Sequence, residues 1–315
     1  MSCCSPVSTL RRLVLALGLQ STAGLALWVI VAVVAANVDS SSLDLAAVVL
    51  LFGQLVVVPL GLLLVAPSGH RLADALWRGG RFLFRIGVVA AIASVAIPRG
   101  ELSAAFAAVY LLPALVVGAA SILRAPAIRR PSDLAAVAAG IFLAIGSLFF
   151  VLHRQDVAIE GFPELTVQLT AVHLHFVGFG LLLVAGELAR RSARMGRAAV
   201  RLLMLGTVAT PLGQFIHPVL ELAGATFVIG GLLAVMAGTF PVLGDSQAPT
   251  SARRLLFVSI AFSLVIGVMA AVYAAGAALG APSVDIGSMV RLHGVFAAIG
   301  VVFCALLGWR LAVAS

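Results

Sequence analysis

Ten apolar runs, each about long enough to cross a bilayer, dominate this chain and decide what it can fold into. A helix needs about 20 mostly apolar residues to span the hydrocarbon. Windows of that length fall at 13–36, 43–66, 82–98, 102–124, 134–152, 166–188, 197–217, 222–243, 255–279 and 286–312. The third is short and meets the fourth across Pro98-Arg99-Gly100, as a tight hairpin would; nine or eight spans are the neighbouring counts. In lipid a backbone must satisfy its own polar groups, and no run alternates polar with apolar residues. The chain therefore reads as all-α, a polytopic transmembrane helical bundle of about ten spans. Only 10% of its 315 residues are charged, 62% are hydrophobic and mean hydropathy is +1.18, whereas a soluble domain carries roughly a quarter charged residues.

The arginines give an independent check. There are 20, with no lysine. Residues 1–12 read as a short cytoplasmic tail and 13–315 as a single integral-membrane domain. With that start, 17 arginines fall on inner segments and only Arg99, Arg154 and Arg291 lie outside. Positive residues favour cytoplasmic loops, so both termini are expected in the cytoplasm. Asp39, Asp44, Glu101, Asp156, Glu160, Glu164, Glu221 and Asp285 lean to the outer side. The basic residues punctuate apolar runs instead of forming a patch, which speaks against a nucleic-acid partner despite a pI near 11.1. The lipid bilayer of a bacterial or archaeal cell membrane is the expected surrounding. The run from Leu13 to Ala36 is too long for a signal-peptide core and reads as a retained span. Cys3, Cys4 and Cys304 form no disulfide framework.

Ionisable groups inside a membrane are costly and mark functional sites. The second half, about 134–315, holds nearly all of them. His173 and His175 lie in the sixth span, His217 ends the seventh with Glu221 just after it, His293 lies in the tenth and His153 closes the fifth. At about 1.5 Å per residue, His173 and His293 sit some 10 Å inside their spans, with His153 and His217 nearer the outer boundary. Thr207, Thr210, Gln214, His217 and Glu221 share one helical face if the helix continues past Pro218. His173 and His175 are about 200° apart on a regular helix, so one would face the site, with Thr170, and the other would pack against a neighbour. Three or four imidazoles suit a transition metal, so His173, His175, His217 and His293 form a candidate ligand set; a facing pair would equally suit a haem. A hydrogen-bonded structural cluster is the plain alternative. Arg291 could clamp an anionic group or extend outward. Glu187, beside Arg190, Arg191 and Arg194, reads as an inner-surface ion pair, and His70 as a solvated loop residue.

The segment Thr170-Ala171-Val172-His173-Leu174-His175-Phe176-Val177-Gly178-Phe179 resembles the histidine motif of the YndJ-like bacterial membrane proteins, where a T-A-x-H-F-H-[YF]-x-G-F pattern recurs. Arg291-Leu292-His293-Gly294 resembles a later arginine–histidine–glycine of that family, and Val57-Val58-Pro59-Leu60 its proline-bearing second span. The resemblance implies the same architecture and a role for these histidines; it implies no reaction. The H-x-H pair is also similar to haem–copper oxidase subunits, but the rest of that histidine pattern is absent.

Two function classes follow. The first is an intramembrane enzyme working at the outer half on a small lipophilic substrate. His173, His217 and His293 would act as acid/base groups or metal ligands, with Glu221 as a further catalytic group that orients or polarises the substrate, and Arg291, Gln214, Thr170 and His175 would bind it; isomerisation, cyclisation and oxidation all fit. The second is a transporter of a small solute that uses the same residues to bind substrate or protons. The inner half lacks matching polar residues, which favours the one-sided site. No Walker A, G-x-S-x-G or H-E-x-x-H motif is present, so ATP-driven pumps, elbow-type hydrolases and zincins are excluded.

Overall fold

The structure, a computed structural model, describes residues 6–37 (side chains from 13 onward), 44–156, 163–281 and 284–313. Cys3, Cys4, Asp39 and Glu160 lie outside the described residues. Ten membrane-length helices account for nearly all of the rest: α1 Leu13–Asn37, α2 Leu45–Leu62, α3 Arg71–Ala96, α4 Glu101–Ala127, α5 Pro131–Arg154, α6 Glu164–Arg191, α7 Ala193–Ile216, α8 Pro218–Gly244, α9 Thr250–Ala278 and α10 Ile286–Val313. No strand occurs among the described residues. The ten expected runs match these one for one. The clearest difference is α3, which starts eleven residues before position 82 because Arg71, Arg78, Arg81 and Arg85 lower the hydropathy of a first half that is nonetheless helical. His70 caps that start, its Nδ1 accepting from the Ala73 N–H at 3.2 Å. It is solvated, as expected, and also fixes where the helix begins.

The helices alternate in direction, which gives the bundle a face carrying both chain ends (the terminal face) and an opposite, distal face. α2 is the axle: 94% of its apolar window is buried, against 11% for α1. A helix that is apolar all round belongs in the middle of a bundle. It packs against α6 and α10 through positions with no side chain. A Cβ on Gly180 of α6 would lie 2.5 Å from Val302 of α10 and 3.1 Å from Val57 of α2, and one on Gly53 of α2 would touch the Phe176 ring at 3.1 Å. At this crossing all three helices widen into π-helical turns, Gly53–Val57, Leu174–Leu181 and Phe296–Phe303.

The distal face explains the three arginines that depart from the general distribution. Arg154, 1% exposed, donates from Nε to Ser103 Oγ (2.7 Å) and from Nη2 to the carbonyls of Ser94 (2.8 Å) and Ile97 (2.6 Å). Those are the orphan carbonyls at the end of α3, so the guanidinium caps the α3–α4 hairpin. Arg99 pairs with Asp156 at 3.1 Å and with Glu164. Arg291 sits beside Asp285, the N-cap of α10. Hydrogen bonds from the Ser288 hydroxyl and N–H hold that carboxyl below the usual range.

α7 and α8 are parted by one extended residue, His217 (φ −170°, ψ 137°), so the single long helix that would have aligned Thr207 with Glu221 is broken. The two run back along each other through small residues. A Cβ on Gly213 would lie 2.1 Å from the Glu221 nitrogen, and one on Gly224 2.4 Å from the Thr210 nitrogen. Without a hydrophobic driving force in lipid, such close backbone approach is a main source of helix association. Gly213→Ala is therefore expected to lower the thermal stability of the purified protein by about 1–3 kcal/mol through overpacking. Gly79→Ala, on an exposed face of α3 where an added Cβ meets nothing, should leave it unchanged or raised. Equal melting temperatures for the two variants would contradict this packing.

Candidate functional site

A cavity of about 210 Å³ opens in the distal half between α6, α7, α8, α9 and α10. Most of its wall is apolar, from Leu169, Val172 and Phe176 on α6 to Met289, Val290 and Ala297 on α10. Seven polar side chains interrupt it: Thr170, His173, Thr210, Gln214, Glu221, Tyr273 and His293. Of the expected site residues, His173, His293, Glu221, Gln214 and Thr170 thus share one space.

The two histidines enter from facing helices, near enough to act on each other electrostatically. The His173 ring lies against the Thr207 backbone carbonyl and the His293 ring against that of Ile266. Each keeps a buried nitrogen, Nε2 of His173 and Nδ1 of His293, with no hydrogen-bond partner among the described residues. Thr210 Oγ1 is buried and unpaired in the same wall. Glu221, 8% exposed, accepts from Gln214 Nε2 at 3.3 Å across the α7–α8 turn. The broken helix therefore still brings that pair together, by folding back instead of by continuing. Thr170 donates to the Thr166 carbonyl at 2.8 Å and presents little else to the cavity.

Tyr273, from α9, escaped the sequence reading. It is within electrostatic reach of Glu221. The signal available was rarity: the chain has two tyrosines, and each stands beside one of the two motif histidines' surroundings.

The other tyrosine explains His175. This residue is fully buried on the opposite side of α6 from the cavity, stacked on Tyr110 of α4 with ring centroids 6.0 Å apart. Its Nδ1 faces the Ala171 carbonyl at 2.8 Å, and its Nε2 faces the Tyr110 hydroxyl at 3.3 Å. A carbonyl only accepts, so Nδ1 carries the proton and Nε2 accepts from the tyrosine. Both nitrogens are satisfied, and the place expected for His175 in substrate binding is not where it lies. His217 is exposed and outside the cavity wall, its Nδ1 accepting from the Val219 N–H at 3.2 Å as the N-cap of α8. Arg291 is exposed and also outside the wall. His153 is buried near Arg154 at the end of α5, with Nδ1 unpaired.

The four-histidine metal set is consequently not assembled, because His175 and His217 point elsewhere. Among the described residues no three His, Cys, Asp or Glu side chains stand together as a metal requires. A haem fits no better: the cavity is smaller than the roughly 300–1,000 Å³ of drug-sized sites.

The family model for YndJ-like proteins matches residues 48–301. The chain belongs to the YndJ-like family. That span covers α2 to most of α10, hence the central helices and every wall of the cavity. A curated relative, the "Uncharacterized membrane protein YndJ" of Bacillus subtilis (strain 168), is 27% identical over 178 residues, 54% of this chain. The match spans about a third (31%) of that protein's length. No solved structure matches. Within this YndJ-like protein the motif histidines thus divide into one with both nitrogens bonded, His175, and one whose Nε2 is left bare, His173.

That division has a measurable consequence. Tyr110→Phe removes the only donor to His175 Nε2 and leaves a buried acceptor bare, which costs about 1 kcal/mol in a membrane interior. The variant should melt at a lower temperature while its cavity stays intact. An unchanged melting temperature would show that the His175–Tyr110 bond holds nothing.

Proposed function

We propose that this protein is an intramembrane enzyme that carries out acid–base chemistry, such as isomerisation or cyclisation, on a small lipophilic substrate. The observation that carries the reading is the pair of unpartnered imidazole nitrogens, His173 Nε2 and His293 Nδ1, in the wall of one mostly apolar cavity. An unsatisfied buried polar atom costs about 1–3 kcal/mol; His153 bears that cost too at Nδ1, but outside the cavity, whereas His173 and His293 bear it in one shared wall, and His175, with both nitrogens bonded, is the contrast within the same turn. In the proposed mechanism one imidazole takes a proton from the substrate and the other returns one at a second atom. An imidazole can take a proton at one nitrogen and release one from the other. Gln214, Glu221 and Thr210 orient the polar end, while the apolar wall receives the hydrocarbon and keeps out water.

The transporter reading draws on one observation. A smaller polar pocket of about 120 Å³ lies at the terminal face between Ser68, Arg124, Ser132, Asp133 and Arg190, so that half is less bare than the sequence suggests. Its arginines, however, are already engaged, Arg124 with Asp74 at 2.9 Å and Arg190 with Glu187.

Two experiments test the proposal. In cells lacking their own copy of the gene, lipid extracts are compared by mass spectrometry after production of wild type, His173→Gln or His293→Gln. Wild type should convert at least one lipid species, and each variant should do so about 10²–10⁴ times more slowly at near-normal membrane levels. Identical lipid profiles for all three would remove the enzyme reading. The second concerns orientation: the arginine distribution supports a terminal face in the cytoplasm and a cavity on the outside. In a background with Cys3, Cys4 and Cys304 replaced by serine, a cysteine at exposed Gln155 should react with an impermeant thiol reagent in intact cells. One at exposed Gln247 should react only after the cells are opened. The reverse pattern would invert the topology.

A further inference from the structure

Glu221 is the one residue in the cavity wall with a formal charge, and nothing of opposite sign faces it. It is 8% exposed. Its hydrogen bond from Gln214, at 3.3 Å, is long, and the donor is an amide with no charge of its own. It takes part in none of the ion pairs among the described residues. The wall contains no arginine. Of the three arginines at the distal face, Arg99 pairs with Asp156 and Glu164, Arg154 donates to three groups of the α3–α4 hairpin, and Arg291, exposed and outside the wall, lies by Asp285. A buried carboxylate is normally paired, and one that is not requires a cation or a proton from elsewhere.

We infer that the cavity takes a lipophilic amine: an ammonium group pairs with the Glu221 carboxylate, and the attached hydrocarbon lies along the apolar wall. This rests on the reading of the cavity as a substrate site and narrows the substrate to one class. Three features together fit an ammonium and not an anion. The wall offers carboxylate and amide oxygens, from Glu221 and Gln214, as acceptors for its N–H groups. Tyr273 lines the same wall within electrostatic reach of Glu221 and adds a hydroxyl oxygen as a further acceptor. A phosphate or carboxylate would find no fixed positive group in the wall and would be repelled by Glu221. The volume, about 210 Å³, admits a head group and a short stretch of chain, with the remainder of a longer tail extending from the open side.

The test uses three photoreactive probes that share one ten-carbon, diazirine-bearing chain and end in a primary amine, an alcohol or a carboxylate. Each is crosslinked to the full-length protein in lipid nanodiscs, and the labelled peptides are mapped. The amine should label residues 169–177 and 286–297 at least ten times more than the alcohol, and the carboxylate less than either. In Glu221→Gln the amine should fall to the level of the alcohol, while alcohol labelling stays as in wild type. Amine and alcohol labelling the cavity equally in wild type would overturn the inference and leave the substrate-site reading standing. Stronger labelling by the carboxylate, or full amine labelling in Glu221→Gln, would do the same. If no probe labels those segments, the substrate-site reading fails and the amine inference with it. The wild-type comparison needs no variant, so a folding defect in Glu221→Gln cannot mask the outcome.

Discussion

In hydrocarbon no water completes a hydrogen bond, so every polar group in this bundle is either satisfied by protein or left bare at a cost of about 1–3 kcal/mol. That constraint shapes each level of the structure. It makes the chain all-helical and leads Arg154, 1% exposed, to spend its donors on the carbonyls at the end of α3. It also gives meaning to the exceptions. Serines 94 and 103 exchange hydrogen bonds with each other's backbone, and Gln168 of α6 reaches Asp44, the N-cap of α2, at 2.9 Å. Other buried polar atoms are also bare, among them both side-chain atoms of Gln54, Trp309 Nε1 and His153 Nδ1; what sets His173, His293 and Thr210 apart is that theirs lie on residues lining one cavity.

The same constraint divides α6 lengthwise. The helix widens into a π turn just after His173. Such turns are rare and gather at functional sites, because they displace the following side chains without ending the helix. Gly180, inside the turn, lets α2 and α10 close on it. The side carrying Gln168 and His175 is committed to α2 and α4. The other side, carrying Thr170 and His173, is left to the cavity. Two histidines two positions apart thus come to opposite ends: one locked by Tyr110, one open.

How much of this the sequence carried depends on the range over which each feature is decided. Ten spans and their bounds were legible because span hydropathy is a local sum, and α3 was misjudged at its start because arginines on an exposed face depress that sum without breaking the helix. The opposed faces of His173 and His175 followed from helical geometry alone. The fates of His217 and Tyr273 did not. His217 turns outward because the chain breaks at Pro218, and a proline marks a break without giving the angle at which the next helix returns. Tyr273 arrives from α9, some hundred positions from the motif, and only tertiary packing puts it beside Glu221. Glu221 itself was read correctly as a neighbour of Gln214 for a wrong reason, since the hairpin achieves what a continuous helix was expected to do.

The balance of charge at the distal face gives the cavity its polarity. Among the described residues that face holds Asp44, Glu101, Asp156, Glu164, Glu221 and Asp285 against three arginines, and the arginines are held by partners of their own. Carboxylates thus outnumber arginines on the face toward which the cavity lies. The terminal face has the opposite excess, with Arg124 and Arg190 each tied to a carboxylate and many further arginines free of the apolar interior. A bundle charged in this way is not symmetric about its middle. The closely packed crossing of α2, α6 and α10 at Gly180 lies between the cavity and the terminal face. The cavity and its bare imidazole nitrogens lie on one side of the crossing, and on the other the best-formed polar contacts are the pairs Arg124–Asp74 and Arg190–Glu187.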